Sequence, residues 1–311
     1  MRTSLASALA LIFSLTGVGS AASNAGTGGA QFLKLGAGAR SAAMGDASVA
    51  VEGDAFSLYH NPAALVRLAR PQIGGAHNSL FQGITYQALA FAYPFVEHQH
   101  ALGLGIFYLG VGDIERRTGD STSPVGSFNA SDAAYVASYA HAFGDRMSLG
   151  VNGKYITQSL DTYSANAFAA DLGALYRLNP ESDRPVTAGA VVRNIGSSIG
   201  YVSSVRDPLP TSVHLGASFR PLKALGLSLE TGKYRDTDLY GAFGAEAVRS
   251  FGEAASAALR LGYTSARRDN EGFNGVTAGA GLSLHRAAFD FAWVPFGALG
   301  DSFRFSLLIK F

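Results

Sequence analysis

The sequence predicts an all-β fold: an up-and-down antiparallel transmembrane β-barrel of about 14 strands, with an N-terminal hatch or plug segment. Three observations predict it. Beyond residue 70, apolar and polar residues alternate with period two, the strand signature. The composition is glycine-rich, aromatic and weakly charged, and no run beyond the N-terminus approaches the roughly 20 apolar residues of a membrane helix. Tight turns largely alternate with long polar links, as in bacterial membrane barrels.

The 311 residues include 24 Lys+Arg, 23 Asp+Glu and no cysteine, for a net charge of +1. A near-neutral chain offers no strong field to nucleic acid or another polyanion. Without cysteine there is no disulfide framework, thiolate metal site or cysteine nucleophile. Charged residues make up 15%, against roughly 25% in soluble domains. Hydrophobic residues at 48% and aromatics at 11% exclude a disordered chain.

Residues 1–22 read as a secretory signal peptide. Arg2 supplies the positive start, Leu5–Leu15 the short apolar run, and Thr16–Ala22 a small-residue cleavage site after Ala21 or Ala22. Residues 23–70 break the strand rhythm and are expected to form the plug. Closely spaced small residues allow tight backbone packing in a confined space. Asp54 is placed to cap a short helix through Tyr59, and Pro62 biases Asn61 away from helical angles, ending that helix. Glu52 and Asp54 read as a plug turn rather than an acid/base pair. Arg40 must find carboxylates or carbonyls in such a space: either it ties the plug to lumen acids such as Asp171, Glu230 or Asp290, or it is exposed at the periplasmic mouth.

Residues 71–311 form the barrel, with strands expected near 71–80, 83–94, 100–112, 132–143, 147–158, 166–178, 186–195, 210–220, 225–235, 239–250, 254–265, 275–285, 287–296 and 301–311. On the fifth, Met147, Leu149, Val151 and Tyr155 oppose Ser148, Gly150, Asn152 and Lys154; on the eleventh, Leu259, Leu261 and Tyr263 oppose Arg260, Gly262 and Thr264. The turns 143–147, 220–225 and 285–287 are tight, while 113–131, 196–209 and 266–274 are long and polar. With a periplasmic N-terminus the long links fall outside.

Soluble barrels and sandwiches also alternate, so three further features decide for lipid. The polar face is small, with scattered charges suited to a lumen: Asp171, Arg177, Arg193, Glu230, Arg260, Asp290 and Arg304. Tyr93, Phe95, Tyr163, Tyr176, Tyr234, Tyr263, Trp293 and Phe296 sit toward strand ends, as interfacial girdles require. The last strand carries Phe303 and Phe305 and stops on Phe311, which resembles the C-terminal signal read by outer-membrane assembly machinery. Fourteen strands leave a lumen wider than side chains fill, so a plug or water must occupy it. On these faces Leu261→Arg is expected to cost about 2–4 kcal/mol at the lipid midplane, and Arg260→Leu less, since it removes a lumen charge.

The stretch Phe32-Leu-Lys-Leu-Gly-Ala-Gly-Ala-Arg-Ser-Ala-Ala-Met-Gly-Asp46, the acidic Glu52-Gly53-Asp54 and then Tyr59-His60-Asn61-Pro62-Ala63 resemble the N-terminus of the PorV/PorQ family, within the wider FadL-like outer-membrane barrels. The motif positions are Gly36, Gly38, Arg40, Met44, Gly45, Asp46, Asn61, Pro62 and Ala63. Asp46 departs from the small residue expected there, and Ala64 from the expected glycine. The resemblance implies an integral protein of a Gram-negative-type outer membrane, with a hatch, no enzyme activity and no cofactor. Its implied partners are outer-membrane lipid and the assembly machinery. Two roles follow: an accessory of type IX-like protein secretion or surface attachment, with secreted cargo and a secretion translocon as partners; or FadL-like uptake of hydrophobic small molecules, such as fatty acids and hydrocarbons, with a hydrophobic ligand in the lumen.

Other signals carry little. Gly196-Ser-Ser-Ile-Gly200 matches G-x-S-x-G but opens a link between strands, where a hydrolase needs a strand-to-helix turn. His98-x-His100 lacks a third metal ligand. Asp113, Glu115, Arg116 and Arg117 read as a solvated loop rim, and Asn129-Ala-Ser131 as an idle sequon. There is no phosphate loop or nucleic-acid footprint.

Overall fold

In the computed structural model, which describes residues 26–97, 99–120, 122–202, 205–267 and 275–311, fourteen strands close into one barrel. They are β1 (Gln72–Ser79), β2 (Thr85–Phe95), β3 (His100–Arg116), β4 (Gly126–Phe143), β5 (Met147–Leu160), β6 (Tyr163–Arg177) and β7 (Val186–Gly196), then β10 (Ser212–Leu222), β11 (Leu225–Tyr234), β12 (Tyr240–Phe251), β13 (Ala255–Thr264), β14 (Val276–Leu284), β15 (Ala287–Pro295) and β16 (Asp301–Lys310). The short β8 (Ile199–Val202) and β9 (Val205–Asp207) form a hairpin of their own within the link from β7 to β10. Each barrel strand pairs antiparallel with its sequence neighbour, and β1 closes the ring on β16, Gln72 opposite Lys310 and Ser79 opposite Phe303. The expected signal peptide, His98 and most of the 266–274 link lie outside the described residues.

The barrel count agrees with the alternation, but two links differ from expectation. The 196–209 link contains the β8–β9 hairpin, so the G-x-S-x-G run joins two strands. The expected 113–131 loop shrinks to 117–125, because β3 and β4 continue past the apolar pattern. Ile114 pairs with Phe128 and Glu115 with Ser127 across a bulge. There Asp113 takes φ 53 and its N–H donates to Asn129 Oδ1. Ladder hydrogen bonds need no lipid, so the strands outrun the stretch where apolar side chains mark them.

The face assignments stand. Met147, Leu149, Val151 and Tyr155 are exposed, while Ser148, Asn152 and Lys154 are buried. Leu259 and Leu261 are 70% and 62% exposed. A surface of that kind is stable only against hydrocarbon. Two of the expected girdle aromatics turn inward. Tyr234 keeps the parity of Glu230 on β11 and stacks on Tyr240 at 6.2 Å, and Phe296, just past Pro295, sits edge-on to Phe81 and under Arg267.

The N-terminal segment lies within the ring. Its elements are a 3-10 turn (Gln31–Lys34), α1 (Ala39–Ala43), α2 (Ser57–His60) and a second 3-10 turn (Pro62–Arg67). Inward glycines of the wall make room for it. A Cβ at Gly150 would strike Pro62 and Ala63, one at Gly189 the Val49 carbonyl, and one at Gly262 the Met44–Gly45 backbone. Asn61 is extended (φ −158) and ends α2 as expected, and its Oδ1 accepts from Ala63 N–H to start the next turn. Asp54 does not cap α2: the N-cap position is Phe56, and the Asp54 carboxylate turns toward Arg40.

Leu261→Arg should destabilise the barrel folded into bilayers by about 2–4 kcal/mol, measured by denaturant titration in lipid vesicles.

Candidate functional site

The interior is a continuous polar network between the N-terminal segment and the wall. Arg40 projects from α1 onto β12. Its Nε and Nη2 each donate to the Glu246 carboxylate at 2.9 Å, and Nη1 lies 3.6 Å from Asp54. Glu246 also accepts from Arg260 (2.8 Å), which donates in turn to Asp290 (2.7 Å). Arg40 is therefore tied to the wall, but through Glu246 rather than Asp171, Glu230 or Asp290. The three expected acids are already committed: Asp290 to Arg260, Asp171 to Lys154 at 2.7 Å, and Glu230 to backbone donors. This chain of charges also reverses the expectation for Arg260→Leu. Removing Arg260 leaves Asp290 buried without its partner, a change that costs about 3–5 kcal/mol, while Glu246 keeps Arg40.

The remaining lumen charges each hold the same segment or its neighbours. Glu230 accepts from Ser48 and Val49 N–H at 2.9 and 3.0 Å, and its other oxygen lies 3.0 Å from His214 Nδ1. Arg193 donates twice to the His60 carbonyl and lies over the Tyr59 ring. Arg177 is paired with Glu52. Arg304 donates to the Leu35 carbonyl at 2.9 Å. Asp171 receives Asn152 Nδ2 and the Asn194 N–H, and Asn152 in turn donates to the Leu58 carbonyl. Asn194 stands in a bulge at φ 58, so it and Arg193 both face inward although adjacent in sequence.

Confinement explains the N-terminal motif. Gly36 has φ 76, and a Cβ there would meet Asp46; Gly38 has φ 82 with Phe56 against it; Gly45 has φ 67 with the Tyr263 backbone against it. Met44 fills the space that Gly244 leaves. Asp46 adopts φ 62, a conformation that Asp tolerates better than most side chains, which accounts for its place where a small residue was expected. Asn61 Nδ2 donates to the Val49 and Ala174 carbonyls, joining two parts of the segment to β6. Pro62 and Ala63 pack on Gly173 and Gly150.

Two cavities flank this packing and share no lining residue. One of about 420 Å³ opens at the long-loop end, between Asp46, His60, Arg193, Glu230, Tyr234, Tyr240, Arg267, Phe296 and Arg304. The other, about 410 Å³, lies at the short-turn end beside Arg40, Glu52, Arg67 and Glu246. The chain from Met44 to Val51 runs between them.

Ser212 Oγ, His214 Nε2, His214 Nδ1 and Glu230 Oε1 are joined at 2.9 and 3.0 Å, in the order of an acyl-transfer relay. Ser212 and His214 line neither of these two cavities. His100 and His141 stand with Nδ1 atoms 3.3 Å apart beside Tyr139. Among the described residues no group of three metal-ligating side chains occurs.

Sequence reasoning put Lys154 and His214 on polar strand faces without naming them as lumen groups, and missed Glu246, Asn194, Tyr240 and Arg267. Parity alone places Glu246, Lys154 and His214 on inward faces, beside residues that were identified. Asn194 was hidden by its bulge and Arg267 by its position in a turn.

Arg40→Ala should leave Glu246 with Arg260 alone and weaken docking of the segment by about 1.5–3 kcal/mol, seen as faster proteolysis of residues 26–70 while the barrel still resists. The second expected effect concerns pH. His60 Nε2 donates to the Ala37 carbonyl. Burial, aided by Arg193 and opposed by Ala37, Asp46 and Glu230, lowers its pKa below the ordinary 6.5. The undocked segment then binds the proton first, so docking is complete above about pH 6.5 and weakens as pH falls below it. Proteolysis of the segment should accelerate on acidification, and His60→Gln should flatten that slope.

The closed barrel has known counterparts. CymD, a monoaromatic hydrocarbon channel, superposes with a TM-score of 0.62 at 13% identity, over 89% of this chain and 98% of that one. The Ralstonia pickettii toluene transporter TbuX gives 0.58 at 14%, over 89% and 98%. A Pseudomonas aeruginosa FadL homologue gives 0.58 at 11%, over 88% and 98%. At these identities the likeness establishes a shared FadL-like fold. No curated protein sequence matches the chain. The family model described as "Type IX secretion system protein PorV" matches residues 19–225, which include the N-terminal segment and the strands that hold Asn61 and His60. The chain therefore belongs to the PorV family, as an integral outer-membrane β-barrel with a FadL-like fold.

Proposed function

We propose that the protein is a non-catalytic accessory of type IX-like protein secretion or cell-surface attachment, holding exported proteins at the outer face without passing them through its lumen. The filled lumen carries this reading. Residues 26–70 are hydrogen-bonded to the wall through Arg40, Ser48, Val49, His60, Asn61 and Ala63. Cavities of about 420 and 410 Å³ suit a small molecule, far below the section of a folded domain. Residues 26–70 act here as a fixed hatch. The end with Gln72 and Lys310 faces the periplasm, and the long-loop end meets cargo and a translocon barrel. Phe303, Phe305 and Phe311 serve assembly into the membrane, and the outward leucines and aromatics meet its lipid.

Uptake of hydrophobic molecules is the second reading, favoured by the hydrocarbon channels among the structural neighbours. The charged groups along both cavities weigh against it, since an apolar ligand there would strip them of water without replacing the hydrogen bonds.

Deleting the gene and fractionating the cells separates the two. Under the first reading a set of exported proteins is lost from the surface and held in the periplasm, and the purified barrel retains those proteins or a large translocon barrel. Unchanged secretion, with slower hydrocarbon uptake and hydrocarbon copurifying in the lumen, would overturn it in favour of the second.

A further inference from the structure

At the short-turn end of the barrel, three side chains of the outer face converge. His100, the first residue of β3, lies directly opposite His141 of β4. Their Nδ1 atoms are 3.3 Å apart, and the Tyr139 hydroxyl lies 2.8 Å from the same His100 Nδ1. All three keep the parity of the exposed Leu102, Leu104 and Phe143, so they look outward, near the girdle residue Tyr93. Both imidazoles are half-buried. Aromatic neighbours hold them in place. Phe95 stacks on His100 at 5.5 Å, and Phe143 stands perpendicular to His141 at 4.5 Å. Neither histidine lines a lumen cavity.

The hydrogen bonds of this group do not close by themselves. The Nδ1 of a neutral imidazole offers either one proton or one lone pair, yet His100 Nδ1 faces two partners. If Tyr139 donates to it, the lone pair is spent and His141 Nδ1 has no acceptor there. No carboxylate stands by to hold an extra proton on either ring: among the described residues the only histidine–carboxylate pair is that of His214 and Glu230. A cation between the rings uses both lone pairs at once. Zinc–imidazole bonds of about 2.0–2.1 Å at a tetrahedral angle set two ligand nitrogens about 3.3–3.4 Å apart, and the separation here is 3.3 Å. Neutral nitrogen donors suit zinc, nickel and copper, whereas calcium and magnesium take oxygen.

We propose that His100 and His141 together bind a divalent transition-metal ion of the zinc, nickel and copper class on the outer face of the barrel, at its short-turn rim. Water supplies the remaining ligands, since the rings are open to the membrane interface on one side. The ion joins β3 to β4 through side chains, next to the aromatic girdle. The site is separate from the lumen and from any hydrophobic ligand there.

The test is titration of the full detergent-solubilised protein, free of any histidine tag, with Zn2+ against a chromophoric chelator at neutral pH. It is paired with the electron paramagnetic resonance spectrum of the protein carrying one equivalent of Cu2+. The native protein should bind one Zn2+ per chain in the micromolar range, and the copper spectrum should show coupling to two nitrogens. His100→Asn and His141→Asn should each weaken Zn2+ by more than about tenfold, because the loss of an outer-shell partner alone costs about that much. His77→Asn, which removes another outward histidine, should bind as the native protein does. Each variant is checked for a closed barrel by heat-modifiable migration; should one fail, the native copper spectrum still decides. The proposal is overturned if no Zn2+ binds below the millimolar range, if either His100→Asn or His141→Asn binds it as the native protein does, if His77→Asn weakens it equally, or if the copper spectrum lacks coupling to two nitrogens. Metal binding to the purified barrel requires no secretion partner, so failure here leaves the secretion role untouched.

Discussion

A ring of fourteen strands is wider than its own side chains can fill, and the rest of the structure answers that constraint. A water-filled lumen would leave a pore. Here the N-terminal segment occupies it, and the wall is shaped to receive that segment. Glycines stand where the backbone of residues 44–63 comes nearest, and charged side chains stand where its carbonyls and N–H groups need partners. The unusual glycine content and the short, capless helices have the same cause.

Charge is placed inside with the same economy. The outer surface meets lipid and carries almost none, so the ionisable groups of the spanning region converge on the lumen. Most are matched in chains, as in Asp54–Arg40–Glu246–Arg260–Asp290 and Lys154–Asp171. Such chains fix the segment in one pose more than they stabilise it, because taking each ion out of water costs much of what the pairing returns. Against this background Arg267 and Arg304 stand out, each with a buried Nε that no acceptor meets among the described residues.

Much of this was legible from residue order. Period-two alternation located every barrel strand, and Asp171, Arg193, Glu230, Arg260, Asp290 and Arg304 are buried. The errors share a physical origin. Strand ends were placed where apolar residues stop, but β3 and β4 continue on hydrogen bonds alone. Tyr234 was assigned to the lipid girdle for being aromatic near a strand end, against its own parity with Glu230. Asn194 was lost because a bulge turns two neighbouring residues to one side.

Alternation, the small polar face with its scattered charges, the aromatics near strand ends and the small-residue motif together pointed to a membrane barrel with an N-terminal segment in a tight space. Both are local consequences of contact with lipid, with polar surroundings or with another backbone, so each residue carries its own evidence. Which acid Arg40 meets, which donors stay unpaired and where cavities remain were decided only by the tertiary structure. Those pairings depend on where distant strands fall around the ring and how the segment winds between them. No period along the chain encodes a distance across the lumen.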